Sequence, residues 1–244
     1  MKIKTAIVDG RIDRECELSL VRRGFKVIKL PPHKRLSEAV CSHTDMLLFS
    51  LENELIFTAE YCEEYPELFS ALYPLFKGRK LTFSSDELSE KYPSDCALNA
   101  LIFGKSIFAK LPSLSESIKE SAKKQGYNLI NVNQGYPKCT VLKLSDSAAI
   151  TADCGMARAL SQHGIRVTLI NEGHIALPPH NFGFIGGAAG VYESCVFFLG
   201  SLEAHPDCEK IKAAAEAEGL CCISLSSGRL TDLGGILFTE CDVD

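Results

Sequence analysis

The sequence predicts an α/β ring in which a strand–turn–strand–helix–strand unit occurs five times about a pseudo-fivefold axis, one copy being split between the chain ends. Three observations predict it. Apolar opening strands recur at residues 45–49, 95–99, 139–142, 184–187 and 233–238, a spacing of roughly 45 to 50 residues that falls in the range of repeat architectures. Hairpins, rather than single strands, alternate with helices. The last copy stops after its first strand, and the N-terminal segment supplies the strand, helix and strand that it lacks. Joining the two ends closes the ring and removes the exposed edges of an open sheet.

Each element follows from local rules. In the first unit, Leu51-Glu52-Asn53-Glu54, polar in its last three residues, turns the chain into a second apolar run, Leu55-Ile56-Phe57, as a hairpin requires. A helix is expected over residues 60–76, although Pro66 and Pro74 count against it, and a third strand over 80–83. The second unit pairs 96–103 with 106–110. Ser113 or Ser115 caps a helix with Leu114, Ile118 and Ala122 on one face, Gly126 ends it, and 127–132 is a strand. The third pairs 140–144 with 148–151; Asp153 caps a helix that stops near Gly164, before a strand at 165–170. The fourth pairs 184–191 with 195–199, with a helix opening at Pro206-Asp207 and ending at Gly219, then a strand at 220–225. The fifth joins 233–239 to a strand at 4–9, a helix at 13–23 and a strand at 24–30. An open doubly wound sheet also alternates strands and helices. It fits less well, because no glycine-rich phosphate loop follows the first strand. One domain over residues 1–244 is expected.

Bulk properties narrow the function. Hydrophobic residues make up 46% of the 244-residue chain, enough for a sizeable core. The net charge of −5 comes without a Lys/Arg stripe, so no nucleic-acid partner is expected. Apolar runs fall short of the roughly 20 residues that span a bilayer, and residues 1–5 carry no signal region; a cytoplasmic protein and no membrane association are expected. Eleven cysteines in odd number argue against a disulfide framework. Cys221 and Cys222, in an apolar run, read as buried hydrophobes. Without paired C-x-x-C spacing, no metal is expected, and no cofactor.

Five such units closed by the termini resemble the pentein fold of the guanidino-group-modifying enzymes, as a bacterial branch of its own. Gln134-Gly135-Tyr136 and Gly183-Phe184-Ile185-Gly186-Gly187 are its more distinctive strings. The resemblance covers essentially the whole chain as architecture. It implies a pocket on the axis, a Cys nucleophile, a His base and carboxylates that grip a flat cation by paired hydrogen bonds. His43-Thr44-Asp45 resembles the family's H-x-D element, and Asp95 stands in the equivalent place of the next unit. Gly186-Gly187 resembles the glycine pair of an E-G-G-D element, with Ile185 before it and Ala188 after it instead of acids. Gly234-Gly235 resembles the run before the family's nucleophile, but Ile236, Leu237 and Phe238 follow, and the nearby thiol is Cys241.

The candidate catalytic residues are therefore Cys139, His43 and His174. Cys139 reads either as a thiol activated by Lys138 or as a buried core cysteine. His43 reads as a base or as a surface histidine in a polar stretch. His174 precedes a turn-rich loop that would lie over the pocket. Asp45, Asp95 and Asp232 occupy matching points in three units and would make an acidic mouth; each alone also reads as a turn residue. Lys138 reads as an anion binder or a solvated lysine, and Asn99, Gln134 and Arg229 as polar residues near strand ends. His205 reads as a helix entry. Two functions follow: a hydrolase or transferase acting on a small guanidino or amine compound, or a non-catalytic ring that binds a cationic ligand or a protein or ribosomal partner.

Overall fold

A computed structural model describes residues 2–76 and 79–242. Its strands form five separate three-stranded sheets. In every sheet the first and second strands pair antiparallel and the second and third pair parallel. The split unit is present as expected: Leu237–Asp242 pairs with Lys2–Asp9, which pairs with Lys26–Leu30. Phe238 stands opposite Ala6 and Leu237 opposite Ile7, so the two ends of the chain share one sheet.

The central strands explain the apolar runs of the sequence. Glu54–Thr58 and Ala148–Thr151 are buried at every position, because neighbours cover both faces and alternation disappears. Each unit then returns through a helix whose apolar stripe packs inward. Leu20, Ile118, Leu160 and Ile211 occupy that role in four of the helices and are wholly buried. Left-handed glycines stop three of these helices, at Gly24, Gly126 and Gly164, a conformation that glycine adopts at little cost.

Several boundaries differ from expectation. The 60–76 helix is broken: Ala59–Glu64 ends, Pro66–Leu72 begins, and Tyr73–Phe76 is a 3-10 turn. Pro66 has no amide hydrogen to continue the first helix but suits the start of the second. Ser115 stands at the head of Glu116–Lys124, yet its hydroxyl donates to Asp86 instead of capping. Asp153 does cap Cys154–Gln162, accepting from Met156 N at 2.8 Å.

The opening strands begin later than the apolar segments suggest. They are Leu48–Leu51, Leu101–Phe103, Val141–Lys143, Ala189–Tyr192 and Leu237–Asp242. Before two of them lies a single helical turn, Thr44–Leu47 and Pro137–Thr140. Cys221 is exposed rather than buried, since it lies on a third strand, and it forms a disulfide with Cys195, its register partner on the neighbouring strand. Cys222 is half-buried. Among the described residues no helix is long and apolar enough to cross a membrane.

Candidate active site on the ring axis

The late start of the opening strands builds the site. The turns that precede them bring polar side chains from separate units together at the axis. His43 ends one loop, its carbonyl accepting from Met46 N and Leu47 N, and Asp45 lies inside that turn. Pro137 starts the matching turn in the third unit, which carries Lys138 and Cys139. The fifth unit brings Asp232 ahead of Gly234-Gly235.

Cys139 Sγ donates to Asp45 Oδ2 at 2.7 Å. Asn99 points its Nδ2 towards the same sulfur at 3.8 Å, while its Oδ1 accepts from Lys138 N at 2.9 Å. Asn99 therefore ties the second unit to the thiol-bearing turn. On the other side, His43 Nδ1 lies 3.8 Å from Asp232 Oδ1. Asp232 is fixed by main-chain donors: Phe184 N reaches Oδ2 at 2.8 Å and Gly234 N reaches Oδ1 at 3.1 Å. His43, Asp45, Asn99, Cys139 and Asp232 are all buried, and Lys138 is half-buried.

Glycine is required here for close approach. A Cβ on Gly187 would collide with the Asp232 carboxylate, and one on Gly186 with the carbonyls of Lys138 and Val141. Gly187 N donates to Cys139 O at 2.9 Å. The glycine pair thus lets the fourth unit lie directly against the thiol turn and Asp232.

Burial dominates the protonation of the cluster. It pushes Asp45 up to about 6, against the opposing pull of Lys138 and the Cys139 hydrogen bond. It raises Asp232 to about 7, helped by the neighbouring Asp45 charge. The Cys139 thiol is held well above its ordinary value by burial, then by Asp45 and Asp232. Burial, aided by the Arg11 charge, lowers His43 to about 3. The His43–Asp232 contact is therefore a neutral imidazole beside a carboxyl, not an ion pair. Among the described residues, neither ring nitrogen of His43 has a hydrogen-bond partner, nor has Asp45 Oδ1. Buried polar atoms without partners are uncommon. His43, Asp45 and Cys139 each offer a donor atom within 4.8 Å of the others, an imidazole–carboxylate–thiolate set suited to zinc.

Asp95 is buried beside this cluster's third-unit loop rather than within it. Its Oδ2 accepts from Tyr136 OH at 2.5 Å, and burial raises its pKa. Gln134 Oε1 accepts from Tyr136 N at 3.1 Å, and Gln134 Nε2 donates to Asp153 at 2.7 Å. Tyr136, flagged by sequence only as part of a distinctive string, is thus the link between Asp95 and Gln134. His174 is exposed, packs its ring on His205 at 5.4 Å and lines a different cavity with Asp153 and Cys154. Arg229 donates to Gly173 O at 3.2 Å and steadies that loop.

A cavity of about 720 Å³ reaches the cluster. Thr44, Asp45, Lys138 and Gly234 lie at its inner end, and Leu48, Leu98, Leu101 and Ile236 line its walls. Its outer end is formed by the hairpin ends of the first three units, at Glu52, Gly104 and Lys143. The opening strands run from the cluster to this mouth.

Comparison with known proteins places this geometry. Residues 7–237 match the family described as "Family of unknown function (DUF6873)". The chain belongs to that family. No curated protein matches it. Among solved structures, the amidinotransferase SxtG of Microseira wollei, from the saxitoxin biosynthetic pathway, is 12% identical with a TM-score of 0.56, over 94% of this chain and 78% of that one. The DDAH from Pseudomonas aeruginosa, complexed with citrulline, is 12% identical with a TM-score of 0.56, over 92% of both chains. The agmatine deiminase of C. jejuni is 7% identical with a TM-score of 0.56, over 92% of this chain and 91% of that one. At such identities the likeness establishes the fold: the chain has the pentein architecture.

Proposed function

We propose that the axial cluster is the active site of a thiol-dependent hydrolase or transferase acting on a guanidino or amidino cation. The observation that carries this reading is the Cys139 Sγ–Asp45 Oδ2 hydrogen bond of 2.7 Å, whose carboxylate partner, Asp45, lines the inner end of a cavity. An anionic, buried cluster favours a flat cation, and a carboxylate accepts paired hydrogen bonds from it. The cation also changes the thiol. Bringing positive charge next to Asp45, Asp232 and Cys139 opposes the carboxylate charges that help hold the proton on sulfur.

The distances support the following roles. Asp45 takes the Cys139 proton as sulfur attacks the central guanidino carbon, forming the C–S bond. The proton then passes to the departing amine as its C–N bond breaks. Water, or a second amine in a transferase, attacks the resulting S-linked amidinium carbon, and the C–S bond breaks to return the thiol. His43, kept neutral by burial, is able to accept the attacking nucleophile's proton. Asp232 balances the charge of the bound cation. The fold neighbours whose names include amidinotransferase and agmatine deiminase support the substrate class.

The alternative is a ring that binds the cation without turning it over. It is favoured by Ile236, which stands just after Gly234-Gly235 where the related enzymes place their cysteine. Thermal unfolding with agmatine and arginine tests the shared part. Stabilisation of the native protein that is lost in Asp45→Asn is expected. No stabilisation by either compound, or an equal shift in the variant, overturns the cation site. Product formation from a compound that binds separates the enzyme from the ring.

A further inference from the structure

We propose that the outer end of the axial cavity is an anion subsite built around Arg79, so that the ligand is an extended molecule with a guanidino group at one end and a carboxylate or phosphate at the other. The inference rests on the cation reading of the inner end and adds what holds the far end.

Arg79 lines the cavity and is half-buried. Its Nη2 donates only to neutral oxygens: Ser50 Oγ at 2.8 Å, the Leu51 carbonyl, and Glu54 O at 3.4 Å. Its Nε is buried with no hydrogen-bond partner. Among the described residues no carboxylate pairs with it. The nearby acids are engaged elsewhere: Glu54 with Lys80, Thr82 and Gln125, and Glu52 with Lys105. The other outer cation, Lys143, is paired with Asp146 at 2.6 Å. A desolvated guanidinium bonded only to neutral groups is an unusual arrangement, since buried charges are normally paired. Burial alone depresses its basicity. An incoming anion would supply the missing partner, and arginine's planar fork suits carboxylate and phosphate.

The spacing sets the ligand class. The strand Leu48–Leu51 runs from the inner cluster to the Leu51 carbonyl that Arg79 binds. Its three steps cover about 10 Å, and Asp45 lies a further helical turn inward. The wall between is apolar, formed by Leu48, Leu98, Leu101 and Ile236. A molecule bridging both ends therefore has an apolar middle longer than the side chain of arginine. The cavity volume is in the range that holds such a ligand.

Calorimetric titration of the native chain tests the proposal with four probes: ω-guanidinooctanoate, its methyl ester, octylguanidine and octanoate. The acid is expected to bind at least tenfold more tightly than its ester, and Arg79→Met is expected to abolish that preference. Arg79→Lys, which keeps the charge, should retain part of it and controls for loss of the Leu51 contact. Equal binding of acid and ester, or of the acid and octylguanidine, overturns the anion subsite while leaving the cation site standing. Octanoate binding that depends on Arg79, with no binding of octylguanidine, keeps the anion subsite and removes the cation reading. Failure of all four probes overturns both.

Discussion

The sulfur of Cys139 and the carboxylate of Asp45 are 94 positions apart in sequence and 2.7 Å apart in space. The pairing is possible because two one-turn helices, Thr44–Leu47 and Pro137–Thr140, stand in matching places of different units. It also sets the resting state of the thiol. A carboxylate beside a buried thiol stabilises the proton on sulfur, and burial with Asp45 and Asp232 holds the Cys139 thiol well above its ordinary value.

Cys139 should therefore discriminate between electrophiles by charge. Chloroacetamidine, a flat cation, is expected to alkylate it at least tenfold faster than neutral chloroacetamide of similar size. The exposed Cys154 serves as an internal reference with no such preference. Asp45→Asn should remove most of the difference. Peptide-level mass spectrometry reads both sites, and equal rates at Cys139 would exclude an activated thiol.

Protonation gives a second expectation. Asp45 at about 6 and Asp232 at about 7 both titrate above the ordinary aspartate range. The folded state thus holds protons that the unfolded chain has already released. Their contribution to stability is fully present below about pH 4 and is lost as the pH rises through about 7. His43 acts in the opposite sense: lowered to about 3, it favours folding above its ordinary value and loses that contribution as the pH falls. Comparison with Asp232→Asn isolates the acid. The native protein should lose stability relative to the variant between about pH 4 and pH 8, measured by denaturant unfolding. Affinity for a guanidinium should rise over the same interval, because the carboxylates must ionise to receive it.

How far this was legible in the sequence depends on which interaction decides each residue. The five units and their closure were readable because glycines at helix ends and apolar central strands are local signals. The opening strands were misplaced because 45–49 and 139–142 are apolar and buried in either conformation. Over four residues, burial does not distinguish a strand from one helical turn. Those unrecognised turns are what aim Asp45 and Cys139 at each other. His43, Asp45, Asn99, Lys138, Cys139 and Asp232 were nevertheless named: Asp45 and Asp232 from matching positions, His43 from its resemblance to an H-x-D element, and Asn99, Lys138 and Cys139 from their places at strand ends or starts. Asp95 and Gln134 were named too, but they meet through Tyr136 to one side. Arg79 left no signal, because its meaning lies in partners it lacks. Cys221 was misread because its partner is set by strand register rather than by composition.

Gly187 and Asp232 provide a test of packing at the axis. Any side chain at Gly187 meets the Asp232 carboxylate, which in turn accepts from Phe184 N and Gly234 N. Gly187→Ala is expected to cost about 1–3 kcal/mol through overpacking. It should also weaken cation binding, because the carboxylate must move. In Asp232→Ala the two main-chain donors lose their acceptor, at a further cost of order 1–3 kcal/mol. With Asp232 already truncated there is room for the methyl group, so Gly187→Ala should cost markedly less in that background. Additive costs in the double variant would show that the two residues do not press on each other.

Zinc should compete with the cation for the same donors. His43, Asp45 and Cys139 present imidazole, carboxylate and thiol atoms within 4.8 Å, and His43 has no other hydrogen-bond partner to give up. Thiol ligation requires loss of the sulfur proton, so zinc uptake releases protons and strengthens as the pH rises. Micromolar zinc is expected to protect Cys139 from chloroacetamidine, and a chelator to restore labelling fully. His43→Ala should weaken that protection at least tenfold while leaving Cys139 available for alkylation. Protection that survives in His43→Ala would place the metal on other residues, and unchanged labelling in the native protein would show that the three donors do not close around an ion.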